Sequence, residues 1–247
     1  MPGKDALNRF FSSDQGTRTL SSLYGVGSTD GQRSRWLDLA ARYHAVMGGI
    51  EARAFSSPGR TELGGNHTDH NHGRVLCAAV HMDIIALVSP RDDAKVILES
   101  DGWPEPFVVD LSDLEPRTDE LGKTAALIRG TAAALKKRGA AAGGFHAMAR
   151  SSVPAGSGLS SSAAFELLIA QIQNALYNEG RLPAETLAMI GKEAENLHFG
   201  KPCGLMDQMA CALGAVSSID FSDPARPAWR RVDFDLEGAG YVPARVN

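Results

Sequence analysis

The stretch "SSVPAGSGLSSSAAFELLIA", residues 151–170, runs from a strand-like segment through a glycine-serine turn into an apolar helix. Gly156 and Gly158 let the backbone turn tightly, while Ser160, Ser161 and Ser162 set hydroxyls beside the unpaired N–H groups that open a helix. Successive amides and the positive end of a helix dipole hold phosphate without a lysine, and a serine hydroxyl can help ligate the accompanying magnesium. A flexible linker with serine caps is the plain alternative, but linkers lead into polar, featureless sequence. Here the loop enters a stripe of Phe165, Leu168, Ile169, Ile172 and Leu176 at helical spacing. Two other phosphate motifs do not fit. No lysine follows the glycines as a P-loop requires, and Ser161 stands where a dinucleotide fingerprint needs its third glycine.

Outward from this loop the pattern is mixed α and β, without a repeat of 20 to 50 residues. Residues 5–50 read as helical, with Trp36, Leu39, Ala40 and Tyr43 on one face and Gly48 and Gly49 as a stop. Strands are expected at 75–90, 94–100, 107–111, 145–154, 216–221 and 229–234. Helices are expected at 120–138 and at about 184–198, the latter with Leu187, Ile190, Ala194 and Leu197 inward. The chain thus divides into a helical segment, 1–50, and an α+β domain, 51–247.

Composition narrows the function. A chain of 247 residues with 43% hydrophobic content can bury a substantial core. Its net charge of −4 offers no basic stripe for nucleic acid or an anionic membrane, so an anionic ligand must be held locally. Cys77, Cys203 and Cys211 are odd in number and lack paired metal-ligand spacing, which points to a reducing, cytoplasmic setting. The N-terminus has no apolar signal core, and the run "VLCAAVHMDIIALV" (75–88) is interrupted by His81 and Asp83, so no membrane span is expected.

Two further constellations carry chemistry. "GRTELGGNHTDHNHG" (59–73) packs glycines, three histidines, Arg60, Glu62 and Asp69 into a loop. His67, His70, His72 and Asp69 admit a metal, whereas the glycines with Asn66, Asp69 and Arg60 admit a polar small molecule gripped by hydrogen bonds. No flanking helix spaces the histidines on one face, which favours the second reading. "EAENLHFGKPCGLMDQMACALG" (193–214) places Glu195 at the polar margin of one helix and Asp207 at the opening of the next. If their bend faces the phosphate loop, Glu195 can complete a magnesium site and Asp207 can approach a hydroxyl nucleophile.

With "PGRTELGGNHTDHNHG", "SSVPAGSGLSSSAA" and "FGKPCGLMDQ" in this order, the chain resembles galactokinases, within the wider group of GHMP small-molecule kinases, over about Tyr24 to Phe234. The resemblance implies an α+β fold, a two-layer mixed sheet and helices like ribosomal protein S5 domain 2. It implies a sugar-binding loop at 58–73 and an ATP loop at 152–164. It also implies transfer of the ATP γ-phosphate to the C1 hydroxyl of galactose. Ser160 and Glu195 would hold Mg2+, and the amides of Gly156, Ser157, Gly158, Leu159, Ser160, Ser161 and Ser162 the phosphates. Asp207 would act as base or orienter, with Arg60 beside it and the transferred phosphoryl group. Asn66, His67, Asp69 and the Gly204 backbone would form the sugar pocket. The family signature reads G-R-x-N-L-I-G-E-H-x-D-Y, and here Glu62, Gly64, Asn66 and His70 replace its Asn, Ile, Glu and Tyr. A kinase for another hexose or a hexuronic acid, or a non-catalytic sugar- or ATP-binding fragment or sensor, is the alternative. Galactokinases continue into a second domain, and the tail "GAGYVPARVN" (238–247) is expected to leave that domain absent and turnover weak.

Overall fold

A computed structural model of the chain describes residues 2–234 and 238–240. The tail expectation therefore falls largely on 241–247, outside the described residues. The framework is one mixed sheet of seven strands: β1 (Arg53–Gly64), β2 (Arg74–Pro90), β3 (Lys95–Ser100), β4 (Phe107–Asp110), β5 (Phe145–Ser151), β6 (Val216–Asp220) and β7 (Ala228–Val232). Their order is β4-β3-β5-β2-β6-β7, with β1 pairing β2 outside that path. Only β3 and β5 run parallel; every other pairing among the described residues is antiparallel.

The long strand β2 organises the sheet. Its first part pairs with β6 and its second with β5, while β1 lies alongside most of its length. Residues Ile84, Ala86 and Val88 join one hydrophobic cluster, whereas Ile85 and Leu87 join another on the opposite face. Burial on both faces explains why this segment reads as a nearly unbroken apolar run instead of alternating. Each fully buried Val, Leu or Ile contributes about 1.5–3 kcal/mol, so the strand is a major source of cohesion.

One face is covered by α4 (Thr124–Lys137) and α5 (Ser161–Tyr177), followed by α6 (Ala184–Ala194) and α7 (Met206–Leu213). The other receives α1 (Pro2–Phe11), α2 (Asp14–Tyr24) and α3 (Thr29–Met47). Trp36, Leu39, Ala40 and Tyr43 of α3 are all buried, as their spacing predicts. Asp83, the interruption in β2, is itself buried. It accepts hydrogen bonds from the Tyr24 and Ser56 hydroxyls and pairs with Arg35, fastening α2 and α3 to the sheet.

Several expectations change. The helical segment 5–50 is three helices, because Ser13 caps α2 and Gly25 ends it in a left-handed turn. The expected helix at 120–138 begins only at Thr124. Residues 59–64, read as loop, belong to β1, although register shifts flank Arg60 to Glu62. A π-helical turn at Glu195–Phe199 follows α6. Its wider turn rotates the helical face, so that Leu197, expected inward, is exposed and His198 is buried. Glu195, placed at a polar margin, is buried as well.

Candidate active site

The phosphate loop feeds α5 through Ser160, which adopts a left-handed conformation (φ 58°, ψ 56°) and makes no side-chain cap. Gly156 and Gly158 share that backbone region, with φ of 70° and 69°. Among the described residues the N–H groups of Ser161, Ser162 and Ala163 have no acceptor, as the first turn of a helix dictates. These donors and the dipole of a 17-residue helix form an anion cradle. Instead of capping, the Ser160 hydroxyl donates to Asp207 Oδ2 at 2.5 Å.

β1 carries the loop's support. Gly59 approaches so closely that a Cβ there would lie 2.7 Å from the Leu159 carbonyl oxygen, and the Arg60 N–H donates to that same oxygen at 3.1 Å. The bulge before Arg60 turns its guanidinium inward, where only 6% of the residue is exposed. It donates through Nε (2.8 Å) to Asp207 Oδ1 and through Nη1 to the Gly158 carbonyl (2.8 Å), and its Nη2 makes an ion pair with the same Oδ1 at 2.7 Å. Arg60, Asp207, Ser160 and Gly158 thus form one connected unit, with Asp207 in the first turn of α7.

The sugar-loop candidates gather beside it. Asn66, His67 and His72 all have positive φ, in a turn whose short helical piece spans Thr68–Asn71. Asp69 is buried, its Oδ2 accepting from the Leu205 (2.8 Å) and Met206 (3.0 Å) N–H groups at the start of α7. Its Oδ1 faces His70 Nδ1 at 3.4 Å and His67 Nδ1 at 3.9 Å. Burial alone would raise the Asp69 pKa, but the two N–H donors and the histidines outweigh it and hold the carboxyl below its usual range. The depressed group contributes stability that is complete above the unfolded carboxyl value of about 3.9 and is lost as pH falls through the lower folded value. Urea melts are therefore expected to show a stability difference between parent and Asp69→Asn that is constant at neutral pH and shrinks below about pH 4. A difference independent of pH would remove this contribution.

Glu195 occupies a third corner. Its Oε1 accepts from the Ser162 hydroxyl (3.1 Å) and Lys201 Nζ (2.9 Å), and its Oε2 from Gln208 Nε2 (3.0 Å). Gln208 Nε2 also donates to Glu166 Oε2 at 3.0 Å. Full burial, then the neighbouring Glu195, push the Glu166 carboxyl well above the usual range. Gly191 admits this acid, since a Cβ there would lie 3.2 Å from Glu166 Oε2. Ser160, expected beside Glu195, instead bonds Asp207, and Ser162 takes the place next to Glu195. A buried carboxylate with hydroxyls at an open loop is a hard oxygen donor set that fits magnesium. Sequence reasoning passed over Ser162 as a neighbour of Glu195, as well as Glu166, Lys201 and Gln208; the signal was an acid inside the apolar run of α5.

Residues 126–215 match the family model described as the GHMP kinases N terminal domain, and residues 41–90 match the galactokinase galactose-binding signature. The chain is 36% identical over 200 residues to a galactokinase of Streptomyces coelicolor, covering 81% of this chain and 51% of that protein. A galactokinase of Lactococcus lactis subsp. lactis is 35% identical over 213 residues, covering 85% and 53%. The crystal structure of Lactococcus lactis galactokinase complexed with galactose superposes with a TM-score of 0.71 at 30% identity, covering 79% of this chain and 51% of that one. Methanococcus jannaschii mevalonate kinase, at 15% identity and a TM-score of 0.61, shares the fold. The chain spans about half the length of the curated relatives it matches. No helix among the described residues is long and apolar enough to cross a membrane.

Proposed function

We propose that this chain, which belongs to the galactokinase family of GHMP kinases, contributes the site at which the γ-phosphate of ATP passes to the C1 hydroxyl of galactose. The observation that carries this reading is the Arg60–Asp207–Ser160 unit, which ties the strand leading into the sugar loop to the phosphate loop through one carboxylate. The amides of residues 156–162 receive the phosphates. Asp69, His67, Asn66 and the Gly204 backbone receive the sugar. Magnesium, when bound by Glu195 with Ser160 and Ser162, neutralises phosphate charge. Phosphoryl transfer demands placement and charge stabilisation more than covalent help. Arg60 accordingly balances charge on the moving phosphoryl group. Asp207 orients the nucleophilic hydroxyl and takes its proton as the new oxygen–phosphorus bond forms and the bond from the γ-phosphorus to the β–γ bridging oxygen breaks, releasing ADP.

A coupled ADP-release assay with galactose, glucose and galacturonate tests the reading: release dependent on galactose supports it, and release that ignores every sugar contradicts it. The ion site has its own test. Magnesium-ATP affinities of Ser160→Ala, Ser162→Ala, Glu195→Gln and the two serine–Glu195 doubles are expected to show coupling of about 0.5–3 kcal/mol in each pair. Additive losses in either pair would remove that serine from the ion.

A further inference from the structure

Arg60 to Glu62 is the one stretch of β1 between two register shifts, pairing regularly with Ala79, Ala78 and Cys77. In unbroken strand geometry residues two apart share a face, so Glu62 projects to the same side as Arg60. It is half-buried there. One oxygen, Oε1, accepts from the His67 N–H at 2.9 Å, and no other hydrogen bond or ion pair of Glu62 is found among the described residues. The Cys77 thiol, directly opposite on β2, is pushed up to about 12 by burial and feels the charges of Arg60, Glu62, Asp207 and Asp69 together. By its strand face and its bond to the His67 N–H, Glu62 stands on the Arg60 side of β1 at the entry to the proposed sugar loop.

Asn66 sits across the turn, exposed and left-handed (φ 58°), a conformation asparagine tolerates better than glutamate. Compared with the galactokinase signature, position 62 has gained an acid where an amide is usual, and position 66 has gained an amide where an acid is usual. An amide both donates and accepts, whereas a carboxylate only accepts, so the pair keeps the same combined hydrogen-bonding inventory with its places exchanged.

We propose that Glu62 is a sugar-reading residue: its free carboxylate oxygen accepts from a hydroxyl of the bound hexose, and Glu62 with Asn66 forms an exchanged acid–amide pair at the mouth of the sugar loop. This rests on the proposed sugar-kinase function. Calorimetric titration of the whole chain with galactose, in the presence of magnesium and a non-hydrolysable ATP analogue, tests it. Glu62→Asn and Glu62→Gln are each expected to weaken galactose binding about tenfold or more, the loss of a charge-assisted hydrogen bond. Asn66→Glu alone is also expected to weaken it, by crowding a second carboxylate against the first. The double variant Glu62→Asn/Asn66→Glu is expected to return to within about threefold of the parent, a coupling that independent sites do not show.

Glu62→Gln keeps the side-chain shape and the acceptor for His67, so a Gln variant that binds as tightly as the parent would assign Glu62 only to holding the turn and overturn the proposal. Additive losses in the double variant would overturn it equally. Thermal melts of the parent and the four variants separate a binding loss from a folding loss. Galactose binding by the parent that survives every substitution refutes the role of Glu62 alone. A parent that binds the nucleotide analogue but none of galactose, glucose and galacturonate refutes the sugar reading itself, and the proposal with it.

Discussion

Asp207→Asn is expected to slow phosphoryl transfer by about 10²–10⁴-fold, the range for removing a positioned acid or base. The substitution keeps nearly the same shape but removes the charge that Oδ1 presents to two Arg60 nitrogens and that Oδ2 presents to the Ser160 hydroxyl. Arg60 retains the Gly158 carbonyl, and the Asp207 side chain is 30% exposed, so water can replace part of what is lost. The fold should consequently lose about 1–2 kcal/mol, a fall in melting temperature of about 2–8 °C for a chain of this size. Magnesium-ATP binding should be nearly unchanged, because the loop amides, Ser162 and Glu195 do not touch Asp207 and the Ser160 hydroxyl stays in place when the charge it donates to is removed. Single-turnover ADP release beside a thermal melt checks this. Substantial residual transfer together with a large drop in melting temperature would make Asp207 a structural anchor instead.

Gly204→Ala is the second change with a large expected effect. A Cβ at position 204 would lie 1.7 Å from Asp69 Oδ2 and 2.5 Å from its Cγ, well inside contact distance. The methyl group must push the carboxylate off the start of α7, breaking its bonds to the Leu205 and Met206 N–H groups. Buried donors left without a partner, added to steric strain, cost about 2–4 kcal/mol. The same displacement moves Asp69 away from His67 and His70, so galactose binding should fall by about 100-fold or more, as for loss of a buried charged contact of about 3 kcal/mol. Sugar titration and urea melts measure the two effects separately. A variant with parental stability and parental galactose affinity would show that neither depends on the Asp69–Gly204 approach.

The sequence carries the phosphate loop openly, because a turn needing two glycines and a helix start needing hydroxyls are local demands met by neighbouring residues. It carries β2 equally well: a strand buried on both faces cannot avoid a long apolar run. β1 is less legible. Pro58, Gly59 and Gly64 break strand propensity, and the strand persists because β2 supplies the pairing partners and the bulges turn Arg60 inward. Leu197 could not be oriented from a 3.6-residue period, since the π-turn at Glu195–Phe199 rotates the face by tertiary packing of His198. The burial of Glu195 depends on Glu166, on another helix, and on Gln208. Asp69 shows the same limit from another side. Its residue type suggested a sugar contact, but its seat on the N-terminus of α7 arises from residues more than 130 positions away.

In the proposed function the phosphate loop, β1 and the start of α7 hold nucleotide and sugar with their reacting groups together. A crystal structure of the chain with magnesium, a non-hydrolysable ATP analogue and galactose measures this directly. The triphosphate is expected on the amides of residues 156–162, magnesium on Glu195, and the sugar between Glu62, His67 and Asp69. The C1 hydroxyl is expected beside Asp207, with Arg60 reaching the terminal phosphate. A nucleotide seated away from the start of α5, or a sugar whose C1 hydroxyl lies out of reach of Asp207, would contradict it.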